Sequence, residues 1–229
     1  MKIGFHGLDL PEGKQKYNDP VMHALVDKFD PKKVSPFFAE FLRDECVHCD
    51  GMLVARDSLL DVLIMDMEKL ETRRERGAHG AELALIDKCL AALEQETPLC
   101  RLEFANGELE LARALALVTL KPTAVVDTTP DVSEAIELML ATSATVFFYT
   151  AGKQEVHAWP VPHGSDIVTC AGKIHSDLAR GFIRADVIAH STLLEHHSMN
   201  DAKAKGAAQV VDRDYIIRPR DVIEVRFAV

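Results

Sequence analysis

Residues 171–187 read AGKIHSDLARGFIRADV, and the interpretation of the whole chain follows from this stretch. It holds a glycine, a short polar turn, and then apolar residues alternating with basic ones. Phe182 and Ile183 sit between Arg180 and Arg184, with Gly181 at the bend. By residue type it reads as a loop, one helical turn and the start of a strand. His175 has no Ser or Cys partner in a recognisable nucleophile motif, so a turn-stabilising role is expected for it.

Working outward, Trp159 and the strand candidates Val146–Tyr149 and Glu155–Trp159 lie before this stretch. Packing between two domains is the role expected of Trp159, the one tryptophan. After the stretch, Asp201 or Asn200 is placed to cap a weak helix, DAKAKGAA, and His196-His197 is expected to face solvent. The run DYIIRPRDVIEVRFAV, 214–229, alternates like a half-buried terminal strand. Hairpin strands, one helix and further strands over 166–229 give a β-grasp reading of this part. Arg180 and Arg184 are either neutralised by Asp177 and Asp186 or free for surface contact.

The stretch closely resembles the signature AG-x-IH-[ST]-D-x-x-RGFIRA-[ED]-V of the TGS domain in the YchF/Obg-like ATPase family. Gly172, Ile174, His175, Ser176, Asp177, Arg180, Gly181, Phe182, Ile183, Arg184, Ala185, Asp186 and Val187 carry the match. Further resemblances lie at FFYTAGKQEVHAW (147–159), at DMEKLETR (66–73) and at the C-terminal run, where the family writes DYVVQDGDVIxFRFNV. There Arg218-Pro219-Arg220 stands in place of a turn with a glycine. The resemblance implies an abridged YchF-like architecture of mixed α/β and α+β class. Its parts would be a reduced P-loop-like α/β domain (1–56 with 112–145), an inserted helical hairpin (57–111) and a C-terminal β-grasp, ubiquitin-like TGS domain (146–229).

The N-terminal half departs from that family. A working P-loop is G-x-x-x-x-G-K-[ST]: amides cradle phosphates, Lys reaches the β/γ-phosphates and a hydroxyl holds Mg²⁺. Here five residues, not four, separate Gly7 from Gly13-Lys14, and Gln15 follows. KYNDP then reads as a turn, so the helix whose N-terminus would help hold an anion is not expected. Beyond the strand candidate 36–42 the chain reads RDECVHCDG, without the D-x-x-G of a γ-phosphate sensor. In the family the strand after LLTxKP ends in N-x-x-E, which reads adenine; here Asp127 and Pro130 hold those positions. Asp127 retains a carboxylate able to bond a base amino group.

Between these landmarks the pattern is plainer. Residues 21–29 have helical spacing, and GMLVA (51–55) is a buried-strand candidate. Helices are expected from Asp57 or Ser58 to Gly77, from about Ala81 to Gln95, over Glu108–Val118 and over Asp131–Ala141. A turn at Ala105-Asn106-Gly107 and a strand at Thr123–Asp127 complete the reading. The first two helices form an antiparallel hairpin.

The chain has 229 residues, and its net charge of −10 argues against a general nucleic-acid binder. The charge is uneven: residues 165–229 hold nine Lys and Arg against nine Asp and Glu, so the excess acid lies before them. No leader and no membrane-spanning run is expected. Five cysteines without a disulfide framework point to a reducing cytoplasm. Cys46-Val47-His48-Cys49 has no second ligand pair, so no metal is expected there.

These features lead to a non-catalytic YchF-related protein without a cofactor. It would bind the ribosome, RNA or a protein partner through the TGS domain, with no membrane or DNA contact. Lys173, His175, Arg180, Arg184, Arg218 and Arg220 are the candidate partner-binding residues. The alternative is a weak ATP- or GTP-binding protein with Mg²⁺, using Gly7, Gly13, Lys14 and Asp127.

Overall fold

The computed structural model describes residues 1–105 and 107–228; the turn expected at Asn106 and the terminal Val229 lie outside the described residues. In chain order, β1 (Lys2–His6) is followed by β2 (Gly13–Lys16), α1 (Pro20–Phe29), β3 (Lys33–Ser35), β4 (Phe38–Arg43) and β5 (Gly51–Ala55). Then come α2 (Leu59–Glu75), α3 (Ala81–Glu94), α4 (Glu108–Ala114), β6 (Thr123–Val126) and α5 (Val132–Thr142). The remainder is β7 (Thr145–Ala151), β8 (Glu155–Pro162), α6 (Ile167–Ile174), α7 (Ser176–Arg180), β9 (Phe182–Ala189), α8 (His190–Leu194), α9 (Met199–Ala204), β10 (Gln209–Val211) and β11 (Asp221–Phe227).

The chain divides into two compact units, 1–15 with 38–143 and 16–37 with 144–229. The first holds twelve Lys and Arg against twenty-three Asp and Glu; the second holds fourteen against thirteen. The acidity is therefore a property of the first unit alone.

In the first unit the sheet order is β2-β4-β1-β5-β6. β4, β1, β5 and β6 run parallel, with Ile3 opposite Phe41, Phe5 opposite Leu53, and Leu53 opposite Ala124. Continuous apolar runs such as GMLVA suit strands buried on both faces. The helical hairpin α2–α3 forms as expected, with Leu63, Leu70, Leu85, Ile86 and Leu93 in one core. Arg73 clamps it, its guanidinium donating to both Glu82 oxygens at 2.6 and 2.8 Å. Asp66 of α2 is fully buried but not orphaned: it accepts from the Val118 and Thr119 amides (2.6 and 2.8 Å) and from the Thr119 hydroxyl (2.7 Å). α4 ends at Ala114, short of the expected Val118; a separate 3₁₀ turn at Val118–Leu120 follows, its amides held by Asp66.

The second unit is built on a six-stranded mixed sheet, β10-β9-β11-β7-β8-β3. β7 and β8 are an antiparallel hairpin with Phe148 opposite Trp159. β11 runs parallel to β7 and antiparallel to β9, and β3 runs parallel to β8. Phe148, Ile167, Cys170, Phe182, Ala185 and Ile223 form its core. Residues 16–37, expected in the N-terminal domain, belong here. Tyr17 and Phe37 pack their rings on Phe147, and the Tyr149 hydroxyl donates to the buried Asp19 at 2.8 Å. Asp19 in turn caps α1 through the Val21 and Met22 amides.

Four local expectations differ from the structure. Ala171–Ile174 is the end of helix α6, not a loop, because Asp166 caps that helix at the Thr169 amide (2.8 Å). α9 is capped by Ser198, whose hydroxyl accepts from the Asp201 amide at 3.1 Å, not by Asn200 or Asp201. His196 does not face solvent: its side chain is 14% exposed and lies 3.5 Å from Asp201, while His197 is exposed. Trp159 stacks within its own unit, on His157 (centroids 3.6 Å apart) and on Phe148.

Candidate functional site

In an open parallel sheet, ligands bind beyond the carboxyl ends of the strands, where successive connections leave in opposite directions. β1 lies between β4 and β5, so that place in the first unit is the end of β1, at His6-Gly7. The His6 ring lies between two carboxylates: Nδ1 is 2.7 Å from Asp44 and Nε2 is 3.2 Å from Asp61. Carboxylates only accept, so the full set of bonds requires a proton on both nitrogens. Partial burial works against the charged ring, but the bonds and charges of Asp44 and Asp61 outweigh it and raise the imidazole above its ordinary value.

Gly7 adopts φ +70°, and a Cβ there would fall 2.2 Å from the Ser58 hydroxyl, so only glycine fits. Past it the chain is pinned from inside by the buried Leu8 and Leu10. Arg43 holds the carbonyls of Leu8 and Leu10 (3.3 and 3.2 Å) and the carboxylate of Glu12 (3.0 Å). A phosphate cradle needs amides converging on the anion; here the organised groups are carbonyls around a cation. The Asp9 amide is taken by the Thr129 hydroxyl at 3.3 Å.

Gly13 and Lys14 lie in strand β2, not before a helix, and the Lys14 ammonium sits 4.4 Å over the Phe38 ring. Asp127, just past β6, is paired with Arg56 Nε at 2.6 Å. With β2 where the phosphate-binding helix would begin, and Gln15 where the Mg²⁺-holding hydroxyl would be, these residues do not fit a Mg²⁺-nucleotide as a P-loop holds it.

The six candidate residues of the second unit fall into two groups. Lys173 ends α6, His175 and Arg180 bracket α7, and Arg184 lies opposite Arg226 near the end of β11. Arg218 and Arg220 precede the start of β11, Arg220 being six residues from Arg226, about 20 Å along an extended strand. His175 Nδ1 accepts from the Asp177 amide at 3.1 Å and so caps α7, the turn-stabilising place expected for it.

Arg180 pairs with Asp177 at 2.9 Å, the neutralised one of its two readings. Arg184 does not pair with Asp186 but with Asp212, at 3.1 Å. Asp186 is fully buried and is taken by Arg226 (2.9 and 2.6 Å) and Lys203 (2.9 Å). Gly181, at the bend, is required by a close approach: a Cβ there would lie 2.1 Å from the Ala228 carbonyl oxygen.

Cys46 and Cys49 are buried, and burial pushes both thiols up, away from the thiolate that ligates metals or reacts. Among the described residues no group of three His, Cys, Asp or Glu side chains is placed to hold a metal ion. No helix among them is long and apolar enough to cross a membrane. His6, Arg43, Asp44, Arg56 and Asp61 have no signature in the sequence, because only folding brings positions up to 55 residues apart to one edge.

Residues 146–228 match the family model YchF-GTPase_C, described as a protein of unknown function (DUF933). This span contains the 171–187 stretch. This chain is similar to the YchF family. The ribosome-binding ATPase YchF of Bacillus subtilis is 26% identical over 260 residues, 82% of this chain and 71% of that protein. The Obg-like ATPase 1 of Danio rerio is 42% identical over 81 residues, 35% of this chain and 20% of that protein. Among solved structures, the Schizosaccharomyces pombe YchF GTPase superposes with a TM-score of 0.78 at 14% identity, covering 99% of this chain and 97% of that one. At that identity the likeness is one of fold.

Proposed function

We propose that this chain is a non-catalytic member of the YchF family, a binding protein that has kept the C-terminal docking unit and lost nucleotide hydrolysis. The observation that carries this reading is the route of the chain after β1. It runs through a loop built around Arg43 into strand β2, where a hydrolase needs a helix N-terminus facing phosphate. The edge where a nucleotide would bind is occupied by the His6–Asp44–Asp61 and Arg56–Asp127 contacts. Carboxylates there repel phosphate.

The second unit reads as a TGS-type β-grasp. The strand order β8-β7-β11-β9, with β11 parallel to β7 and α6 linking the two halves, supports it. The proposed partner is the ribosome, met through RNA in the cytoplasm. The relatives named ribosome-binding ATPases support this, as does the near-neutral charge of the unit against the acidic first one. Lys173, Arg180 and Arg184, at one end of the sheet, are the proposed contact group, with Arg218 and Arg220 a separate one.

Residual ATP or GTP binding with Mg²⁺, through Gly7, Gly13, Lys14 and Asp127, is the second reading. It is favoured by the location of Gly7 and Asp127 at the carboxyl ends of parallel strands.

Co-sedimentation with ribosomes tests the proposal, comparing the parent chain with Lys173→Glu/Arg180→Glu/Arg184→Glu. The expected result is co-sedimentation of the parent that falls steeply with salt and is lost in the triple variant. Equal co-sedimentation of both sinks the RNA reading and leaves a protein partner.

A further inference from the structure

The strongly acidic first unit contains a cavity lined without any acid, between the 46–47 loop and residues 113–121. It measures about 320 Å³, and its apolar wall comes from Val47, Leu117, Val118 and Leu120. Leu117 and Val118 are 4% and 2% exposed and continue the core, so the floor is fixed, while Val47 is 55% exposed at the mouth.

Three cations surround this space. The Lys121 ammonium donates to the Cys46 carbonyl at 2.9 Å and to the Val47 carbonyl, joining one wall to the other. Lys69 Nζ donates to the Ala116 carbonyl, also part of the lining, at 2.8 Å. Arg113 lines the cavity, is exposed, and has no hydrogen-bond or ion-pair partner among the described residues. An unpaired guanidinium beside an apolar hollow, in a unit with twenty-three acids available to pair it, is complementary to an anion with an apolar body.

From this geometry we infer that the hollow between the 46–47 loop and residues 113–121 is a binding site for a small apolar monocarboxylate. The carboxylate lies on Arg113, with Lys121 and Lys69 adding charge, and the hydrocarbon lies on Leu117, Val118 and Leu120. The volume is at the low end of small-molecule sites, enough for a short acyl chain or a single aromatic ring. The site involves none of the residues at the end of β1 and is independent of the reading of that edge.

Calorimetry with octanoate tests the inference, with octanol and acetate as controls that keep the tail or the charge alone. Octanoate is expected to saturate a single site, with octanol and acetate each at least tenfold weaker. Arg113→Gln, a change at an exposed side chain, weakens octanoate about tenfold. Val47→Glu, which brings an acid to the mouth, abolishes binding. Leu117 and Val118 methyl resonances shift on titration, while those of Ile216 in the second unit do not. Absence of saturable heat, or an octanoate affinity that Arg113→Gln leaves unchanged, overturns the assignment.

Discussion

The Nδ1 atom of His6 lies 2.7 Å from a carboxylate oxygen of Asp44, and the other ring nitrogen faces Asp61 at 3.2 Å. One imidazole thus ties the end of β1 to the end of β4 and to the first turn of α2. Because His6 is raised above its ordinary value, its contribution to stability is complete below the unfolded value of about 6.5 and is lost as pH rises through the folded one. Unfolding midpoints in urea are expected to fall over that interval, and His6→Gln to flatten the dependence. A pH profile identical in both proteins contradicts the doubly bonded ring.

Asp186 gives the opposite sign. Burial disfavours its charge, but Arg226 and Lys203 outweigh burial and hold the carboxyl below its usual value. Its stabilisation is present above the unfolded value of about 3.9 and is lost as pH falls through the folded one. Arg226→Met leaves Lys203 as the one remaining partner of a buried charge among the described residues and is expected to lower stability at neutral pH, read by chemical denaturation.

Arg220 sits at φ +70°, a left-handed conformation, in the turn where the family carries a glycine. A side chain with a Cβ in this conformation carries a strain cost. Arg220→Gly is expected to stabilise the protein by about 1 kcal/mol. An unchanged or lower melting temperature counts against the strain.

Tyr149 anchors residues 16–37 to the second unit through Asp19, and burial with that carboxylate pushes the phenol up. Tyr149→Phe removes one bond to a buried carboxylate that keeps its two amide donors, at a cost of about 1–2 kcal/mol. Faster amide exchange in α1, with β1 unaffected, is the expected readout.

Much of this fold was legible because local pattern and physics agreed. The α2–α3 hairpin followed from helical spacing and a glycine stop, and GMLVA from its unbroken apolar run. What stayed hidden was non-local. The eleven residues of α1 and its cap carry a clear helical pattern, yet nothing in them says which unit they join; that is decided by Tyr17, Phe37 and Asp19 meeting β7. Arg184 and Asp186 share one face of β9, but the buried Asp186 is taken by Arg226 and Lys203 from distant parts of the chain, and Arg184 turns to Asp212. Gly13-Lys14 looked like part of a loop motif, and its place in β2 follows from pairing with β4, which a local reading does not contain.

The most direct test of the central claim is calorimetric titration of the full chain with ATP and with GTP, with and without Mg²⁺. The closed edge at His6 and Arg56, and strand β2 in place of a phosphate-facing helix, predict no saturable heat at millimolar nucleotide. Saturable, Mg²⁺-dependent binding that is lost on Lys14→Ala would contradict that account and restore the nucleotide reading.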